Sequence, residues 1–359
     1  MGQFREWWIG FRNRKLSDPK FQKWASRFPL TRPIARRSAS ELFDVVAGFV
    51  YSQVLLACVE TDLFNRLVGG PRDVSALAAD LDLPCEGALR LLKAAASLKL
   101  TQDLGGGRFA LGPNGAALLG NPGIAEMVRH HRLLYADLAD PVAALKTKGG
   151  GALAGYWAYA SGDSAEAVAA YSKLMAASQP MVAEQVLDAY DFGRHKHLMD
   201  VGGGQGAFLM AVAARHSKLA LSLFDLPAVA ARARDTLGSR VAVHVGSFLT
   251  DPLPIGADII TLVRILHDHD DAQAMILLRN IFAALPTGGT LLIAEPMADT
   301  QGAEAMGEAY FGLYLQAMGT GRPRTIAEIT AMLCSAGFAS VRPVKSAIPL
   351  TASIIIAQR

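Results

Sequence analysis

Two short runs of this 359-residue sequence combine residue types that could do chemistry. Asp200-Val-Gly-Gly-Gly-Gln-Gly206 follows an apolar pair and precedes helix formers from Ala207, the pattern of a buried strand, a tight turn and a helix. The first amides of such a helix can bind a nucleotide cofactor. His267-Asp-His-Asp-Asp271 offers imidazoles and carboxylates for proton transfer. The sequence therefore predicts a cofactor site and an acid–base site.

The glycine run is compatible with two cofactors. Gly202, Gly204 and Ala207 satisfy the dinucleotide fingerprint, so a nicotinamide cofactor must be considered. Asp200 would be unfavourable beside a pyrophosphate, but it suits the ammonium and sulfonium groups of S-adenosylmethionine. The additional glycine at Gly206 also favours this second cofactor. We therefore expect S-adenosylmethionine, with S-adenosylhomocysteine as its product.

Further cofactor residues are expected where the neighbouring strands end. Asp225 could accept both ribose hydroxyls, or it could instead cap the helix that follows Pro227. Ser247 and Phe248 follow the third strand and could meet the edge and the face of the adenine. The predicted cofactor-binding residues are Asp200, Gly202, Gly204, Gly206, Asp225, Leu226, Ser247, Phe248 and Arg264.

The second half of the chain alternates strands and helices, which predicts a parallel α/β sheet. Residues 341–345 and 350–357 form two consecutive strands with only a short turn around Pro349 between them, so they must pair antiparallel. We expect a Rossmann-like sheet with an antiparallel terminal hairpin. The expected parallel strands are Leu198–Gly202, Leu219–Phe224, Val241–Val245, Asp258–Val263 and Thr290–Ala294.

The first half is mainly helical. Val74–Asp80 and Pro84–Lys99 are expected as helices before a small hairpin, which resembles a winged helix. A DNA-binding regulator is an alternative, but the second helix carries few cations, so a dimerisation scaffold is favoured. The four expected regions are a basic aromatic arm (1–37), a winged-helix-like dimerisation domain (38–120), a helical connector that lines the substrate pocket (121–190) and a cofactor-binding catalytic domain (191–359).

The arm carries ten Lys and Arg residues against two acidic ones. Phe4, Trp7, Trp8 and Phe11 have helical spacing, and Asp18-Pro19 is expected to begin a second helix. Aromatic and basic residues on one helix favour a peripheral membrane contact through residues 1–30, and packing on the protein or on a dimer partner is the alternative. Nucleic acid is not expected as a partner, because base-stacking modules show more than a basic arm.

Cysteine usage indicates a reducing compartment. Cys58, Cys85 and Cys334 are odd in number and show neither disulfide nor zinc spacing. No secretory signal is visible. Leu42–Val59 is the best candidate for a membrane-spanning helix, but polar residues interrupt it and we expect it to be buried in protein. The expected location is the cytoplasm, with a peripheral association at the inner membrane.

From about Leu42 to the end, the chain resembles the class I O-methyltransferases that include the plant caffeate-type and the animal acetylserotonin enzymes. The resemblance rests on the motifs DVGGGQG, FDLP, RILHDHDD, LLIAEP and GRPRT, in that order. It implies a homodimer, His267 as the catalytic base and Glu295 as the carboxylate that orients His267. Pro323 stands where plant members carry a second glutamate. No metal is expected, since a metal cluster or HD-type hydrolase site at residues 267–271 would need distant ligands.

The basic aromatic arm, combined with an apolar pocket, suggests a lipophilic acceptor. The segment that contains Met306, Tyr310 and Tyr314 falls between two site motifs, and its helical stripe is expected either to line this pocket or to be core. His130 and His131 are adjacent, so at most one of them is expected to face the pocket. The predicted pocket residues are His131, Tyr135, Met306, Tyr310 and Tyr314.

The identity of the acceptor is predicted from the arm and from motif details. WASRFPLTRP, HDHDD and GRPRT resemble the bacterial carotenoid branch, which implies methylation of the tertiary C1 hydroxyl of an acyclic carotenoid such as hydroxyneurosporene or demethylspheroidene. The alternatives are a bacteriochlorophyllide C-methyltransferase, an O-methyltransferase of small aromatics, and a regulator or pigment-binding protein without activity.

Overall fold

The computed structural model of the protein describes residues 2–158, 179–346 and 352–359. Contacts divide the chain into two compact units, Met1–Leu119 and Gly120–Arg359. The helices are α1 (Gly2–Leu16), α2 (Pro19–Arg27), α3 (Arg32–Glu60), α4 (Leu63–Leu67), α5 (Val74–Asp80), α6 (Cys85–Ser97), α7 (Pro113–Leu119), α8 (Pro122–Asp137), α9 (Pro141–Lys146), α10 (Ala152–Ala158), α11 (179–189), α12 (Ala207–Arg215), α13 (Pro227–Leu237), α14 (Asp271–Ala284), α15 (Gly312–Met318) and α16 (Ile326–Ala336). The strands are β1 (Arg72–Asp73), β2 (Thr101–Asp103), β3 (Arg108–Leu111), β4 (His197–Val201), β5 (Ala220–Asp225), β6 (Ala242–Val245), β7 (Ile259–Val263), β8 (Thr290–Glu295), β9 (Ser340–Val344) and β10 (Ser353–Gln358).

The arm consists of α1, α2 and the start of α3. Asp18 caps α2 by accepting the backbone N–H of Lys20 at 2.9 Å, and Pro19 occupies the first turn, as the sequence predicts. Ala25 is the one buried residue in the described parts of α1 and α2. The aromatic side chains of both helices are therefore largely exposed.

The long helix α3 corrects one sequence expectation. Residues 42–59 are helical, but burial of this segment is wrong, because only Cys58 and Val59 of α3 are buried. By length and composition alone α3 could cross a membrane, and 11% of its most apolar window is buried. Most of α3 stays exposed because the helix continues the arm and its buried residues lie only at its C-terminal end. It packs on α4 and α6. The middle turns of α3 expose Leu42, Val45 and Phe49.

The rest of the first unit is a small helical domain with a three-stranded antiparallel sheet of order β1-β3-β2. α5 matches the predicted bounds, and α6 is shorter than predicted because it ends at Ser97. Asp73 precedes α5 but makes no side-chain cap hydrogen bond. The assignment of this domain as a winged helix, its role in dimerisation and the limits of all four predicted regions stay predictions.

The second unit is built on a seven-stranded sheet of order β6-β5-β4-β7-β8-β10-β9. The first five strands in this order pair parallel, and each matches its predicted bounds within one or two residues. β10 pairs antiparallel with both β8 and β9, which confirms the mixed sheet with an antiparallel terminal pair. The turn around Pro349 and residues 159–178 of the predicted helical connector lie outside the described residues.

Candidate active site

The glycine run joins β4 to α12 at the carboxyl edge of the sheet. Gly202, Gly204 and Gly206 have φ values of +73°, +61° and +80°, which is the left-handed region that favours glycine. A side chain on Gly203 would collide with the Asp200 carboxylate, so the turn also passes directly over that group. A Cβ on Gly204 would meet nothing within 4 Å. The turn therefore leaves an open backbone surface above a buried carboxylate.

Asp200 supplies that carboxylate and is 1% exposed. Its Oδ1 accepts the hydroxyl of Thr261 on neighbouring β7 at 2.6 Å. Its Oδ2 is buried and has no hydrogen-bond partner in the part of the chain that the structure describes. Burial raises the pKa of Asp200 to about 7, against the opposing effect of the Thr261 hydrogen bond. A buried oxygen of this kind suits a bound cation or donor.

Asp225 ends β5 beside the glycine turn. Its Oδ2 accepts the N–H of Gly204 at 2.8 Å, and its Oδ1 accepts the N–H of Leu226 at 2.7 Å. Burial raises the pKa of Asp225 to about 6, although both hydrogen bonds oppose that rise. The carboxylate thus holds the turn and the entry to α13, and each oxygen keeps a lone pair for a ribose hydroxyl. Both roles predicted for Asp225 are compatible with this geometry.

Ser247 and Phe248 lie in the turn after β6. The N–H of Ser247 donates to Asp251 Oδ2 at 2.7 Å, and the Phe248 ring contacts His269 edge to face at 5.1 Å between centroids. The sequence reasoning missed Asp251, which holds this turn through the backbone of Ser247. The nearby Phe248 carbonyl accepts the Asn280 amide at 2.7 Å.

His267 and Glu295 meet because neighbouring parallel strands end at the same edge. β7 leads into a short 3-10 turn, Leu266–Asp268, and Glu295 is the last residue of β8. The backbone N–H of His267 donates to Glu295 Oε2 at 3.0 Å, and that oxygen lies 3.6 Å from Nδ1. The His267 Nε2 atom lies 3.0 Å from Asp268 Oδ1. His267 is therefore flanked by two carboxylates: Asp268 lies within hydrogen-bond distance of Nε2, whereas Glu295 lies near Nδ1 but beyond that distance.

These carboxylates control the protonation of His267. Burial alone would lower its pKa, but Asp268 and Glu295 together outweigh burial and raise the pKa to about 9. The sequence reasoning missed Asp268, because an acidic residue before a helix is usually a cap. Its position directly after His267 on a tight turn was the available signal. Pro323 stands where plant members of the family carry a glutamate, so this position supplies no carboxylate to His267.

The GRPRT motif holds the His267 loop in place. Arg324 is fully buried; its Nη1 donates to the Leu266 carbonyl at 2.8 Å and its Nη2 to the His269 carbonyl at 2.7 Å. The same guanidinium donates to Asp271 Oδ1 at 2.8 Å, and Arg322 pairs with the other oxygen of Asp271 at 3.2 Å. The sequence motif was recognised, but this structural role of Arg324 was not.

Asp270 is not the helix cap that its position before α14 suggests. It precedes α14, yet its side chain makes no cap hydrogen bond. Its Oδ1 accepts Lys148 Nζ at 2.7 Å and the Gly321 N–H at 3.0 Å. No group of three His, Cys, Asp or Glu side chains that could hold a metal ion occurs among the described residues. The acidic residues of this run are therefore engaged in the loop contacts and in the His267 pair.

Two histidines of α8 contact two tyrosines of the segment after β8. His130 Nε2 lies 2.8 Å from the Tyr314 hydroxyl, and His131 Nε2 lies 2.7 Å from the Tyr310 hydroxyl. Burial lowers the pKa of His130 to about 4 and also lowers that of His131. Both rings therefore meet the same segment as neutral groups at neutral pH, and the expectation that at most one of them faces the pocket stays a prediction. Tyr135 is 38% exposed.

The tyrosine segment begins as a π-helix, Ala305–Phe311, before α15. The continuous α-helical stripe expected from Met306 is wrong in its first turn, because a π-helix adds a residue per turn. Tyr314 packs in a core cluster, while Met306 and Tyr310 are partly buried. Phe311 lies between His267 and the histidine–tyrosine contacts of α8. Its ring centroid is 5.9 Å from that of His267 and 4.9 Å from that of Tyr310.

The comparisons with known proteins all identify methyltransferases. Residues 135–339 match the O-methyltransferase domain family. The chain is 44% identical to the demethylspheroidene O-methyltransferase of Cereibacter sphaeroides over 355 residues, which cover 96% of this chain and 94% of the relative. The corresponding enzyme of Rhodobacter capsulatus is 43% identical over 98% of this chain and 90% of its own length. The crystal structure of human N-acetylserotonin methyltransferase in complex with S-adenosylmethionine has a TM-score of 0.74 and 25% identity, and covers 90% of this chain and 97% of its own.

Proposed function

The chain belongs to the O-methyltransferase family, and from that premise we propose that it methylates the tertiary C1 hydroxyl of an acyclic carotenoid to a methoxy group. The observation that carries the acceptor class is the high identity to two demethylspheroidene O-methyltransferases over nearly the whole chain. Hydroxyneurosporene and demethylspheroidene are the acceptors that we expect. The alternatives without activity, a regulator or a pigment-binding protein, do not hold for a member of this family.

S-adenosylmethionine is the cofactor of this enzyme, so the nicotinamide alternative does not hold. When bound, it supplies an electrophilic methyl group on a sulfonium. The residues present fit it: the orphaned Oδ2 of Asp200 suits a cationic group, and the open face of Gly204 admits a ligand. We assign Asp225 to the ribose, and Ser247 and Phe248 to the adenine. Gly202, Gly206, Leu226 and Arg264 complete the proposed cofactor site.

His267 is proposed as the base that accepts the proton of the acceptor hydroxyl at Nε2. Glu295 is proposed as a positioning residue, because it holds the backbone of His267 and lies beside Nδ1. A tertiary alcohol is weakly acidic and crowded, so alignment of the hydroxyl contributes more than the strength of the base. The aromatic wall of Tyr310 and Phe311 next to His267 supports this role, since it can hold a long apolar acceptor.

The same geometry favours a carotenoid over a chlorin acceptor. A chelated macrocycle would use an axial histidine ligand, but His130 and His131 each engage a tyrosine hydroxyl through Nε2. We propose that His131 and Tyr310 instead line the pocket, together with Tyr135 and Met306. Tyr314 supports the pocket from the core.

We also propose that the enzyme acts as a homodimer in the cytoplasm, at the surface of the inner membrane. The exposed apolar side chains of α3 support dimerisation, and the exposed aromatic side chains of residues 1–30 support a peripheral membrane contact. A lipophilic acceptor resides in the membrane, so this location brings enzyme and acceptor together.

The acceptor is tested by incubating the protein with methyl-labelled S-adenosylmethionine and, separately, an acyclic carotenoid with a tertiary hydroxyl, a bacteriochlorophyllide and a small phenol. Label in the carotenoid as a methoxy group is expected. Label only in the chlorin or only in the phenol would replace the proposed acceptor, and no label in any of them would contradict the assignment of the acceptor class.

Replacement of His267 by Ala is expected to reduce turnover by about 10²-fold to 10⁴-fold, because a positioned base contributes that much to a proton transfer. The dissociation constant for S-adenosylmethionine should stay within about a factor of three, because His267 is not assigned to the cofactor, and calorimetry measures it directly. Unchanged turnover would remove His267 from the mechanism.

A further inference from the structure

The arm contains an open cavity of about 490 Å³. It is lined by Lys20, Lys23, Trp24, Arg27, Phe28 and Pro29. Lys20, Lys23, Trp24 and Arg27 follow the spacing of one face of α2, so three cations and one large ring are presented together. The function described above does not use this cavity.

The three cations of the cavity have no acidic partner in the part of the chain that the structure describes. Within the described residues, Lys20, Lys23 and Arg27 take part in no ion pair, and all three are exposed. Their surroundings are also basic, because residues 1–37 hold ten Lys and Arg against two acidic residues. This charge complements a phosphate group and not another cationic surface.

Apolar side chains surround the same cavity. Trp24 is 50% exposed and stacks on Phe28 with a centroid distance of 5.1 Å. On α1, Trp7 stacks on Phe4 at 6.0 Å and on Phe11 at 5.8 Å, and no residue of α1 is buried. Exposed rings beside cations suit the boundary between lipid head groups and acyl chains better than they suit a soluble anion in water.

We propose that this cavity binds the phosphate of an anionic phospholipid head group, while the exposed rings of α1 and α2 enter the adjoining lipid. The inference deepens the membrane location proposed above and rests on it. Lys20, Lys23 and Arg27 provide the charge-assisted hydrogen bonds, and Trp24 and Phe28 provide the apolar floor. The arm thereby selects anionic membranes.

The test is co-sedimentation of the full chain with vesicles of phosphatidylcholine alone or mixed with phosphatidylglycerol. We expect binding only to the mixed vesicles, and weaker binding as salt increases. The triple variant K20E/K23E/R27E should lose about a hundredfold or more in partition coefficient, since each cation near an anionic surface contributes about a factor of five. The triple variant R66E/K93E/K218E changes the net charge equally outside the arm and should bind almost as well as the wild type.

Three outcomes would overturn the inference: equal binding to both vesicle types, equal losses in the two triple variants, or displacement of the protein from vesicles by an equal concentration of soluble glycerol phosphate or of nucleic acid. Methyl transfer to an acceptor dissolved in detergent is measured on the same samples. Normal methyl transfer without lipid binding would contradict this inference and leave the proposed function intact. Lipid binding without methyl transfer would support this inference and contradict the proposed function.

Discussion

Asp268 changes what His267 can do as a base. A histidine with a single carboxylate on Nδ1 would leave Nε2 directed at the acceptor, but here Asp268 lies 3.0 Å from Nε2. With the pKa of His267 raised to about 9, the imidazolium form dominates at neutral pH. The proton must therefore leave His267 before the ring can accept one from the acceptor. We infer that turnover increases with pH over the range in which His267 becomes neutral.

The variant Asp268→Asn is expected to shift the rising limb of the pH–rate profile to lower pH by about one unit or more. The loss of one carboxylate leaves burial, which favours neutral imidazole, opposed by Glu295 alone. The wild-type rate should reach half of its limiting value near pH 9 and level off only at higher pH, and initial rates of label transfer across the pH range measure both profiles. Asp270→Asn, which removes the carboxylate that pairs with Lys148, serves as the matched control. An unshifted profile in D268N would show that Asp268 does not set the pKa of His267.

At the scale of elements, the segment around Arg324 fixes the His267 loop to α16. The capping box of α16 places Thr325 and Glu328, and Glu328 pairs with Arg322 at 2.8 Å. Arg324 lies between that cap and the carbonyls of the loop before α14. A short basic run in the sequence thus organises a loop more than fifty residues earlier in the chain.

We expect Arg324→Met to lower the free energy of unfolding by about 3 kcal/mol, because it removes one partner of a buried charge network and leaves carbonyl groups unpaired. Arg322→Ala is the matched control, since Arg322 also pairs with Asp271 but is 42% exposed, and its loss should cost less than about 1 kcal/mol. Urea denaturation measures both. Equal losses would contradict the structural role assigned to Arg324.

The sequence predicted the strands well and the loops poorly, for a physical reason. Apolar runs such as Leu198–Gly202 and Thr290–Ala294 are local signals, so β4 and β8 begin and end within one residue of the expected bounds. The burial of Arg324 and its hydrogen bonds to the loop around His267 depend on chain segments that are distant in sequence. The π-helix likewise has no periodic signature distinct from an α-helix over one turn. Tertiary contacts therefore decided the parts of the site that the sequence left open.

At the scale of the whole molecule, the exposed side of α3 is the largest departure from expectation. Leu42, Val45, Val46 and Phe49 are each between 63% and 79% exposed, and their spacing places them on one face of the helix. A second copy of the chain is the occupant that we propose for this face. The sequence correctly indicated an apolar helix, but the partner that covers such a helix cannot be read from one chain.

The variant Phe49→Asp is expected to convert the proposed dimer to a monomer, because a carboxylate in an apolar interface loses its hydration without a partner. Analytical ultracentrifugation gives the mass, and circular dichroism checks that the helices persist. Ile255→Asp, at another apolar position that is 83% exposed, should leave the mass unchanged. A wild-type mass of one chain would contradict the dimer.

The place of β10 in the sheet has a consequence for how the protein is made. β10 lies between β8 and β9, with Ser353 opposite Glu295, so one edge of β8 lacks its final partner until residues 353–358 have left the ribosome. Every residue of Thr290–Glu295 is buried in the finished fold, and an unpaired apolar edge of this kind favours association with other chains. Glu295, which lies beside His267, therefore sits on a strand that is fully paired only once β10 has been synthesised. We expect the enzyme to become active only after β10 has paired with β8.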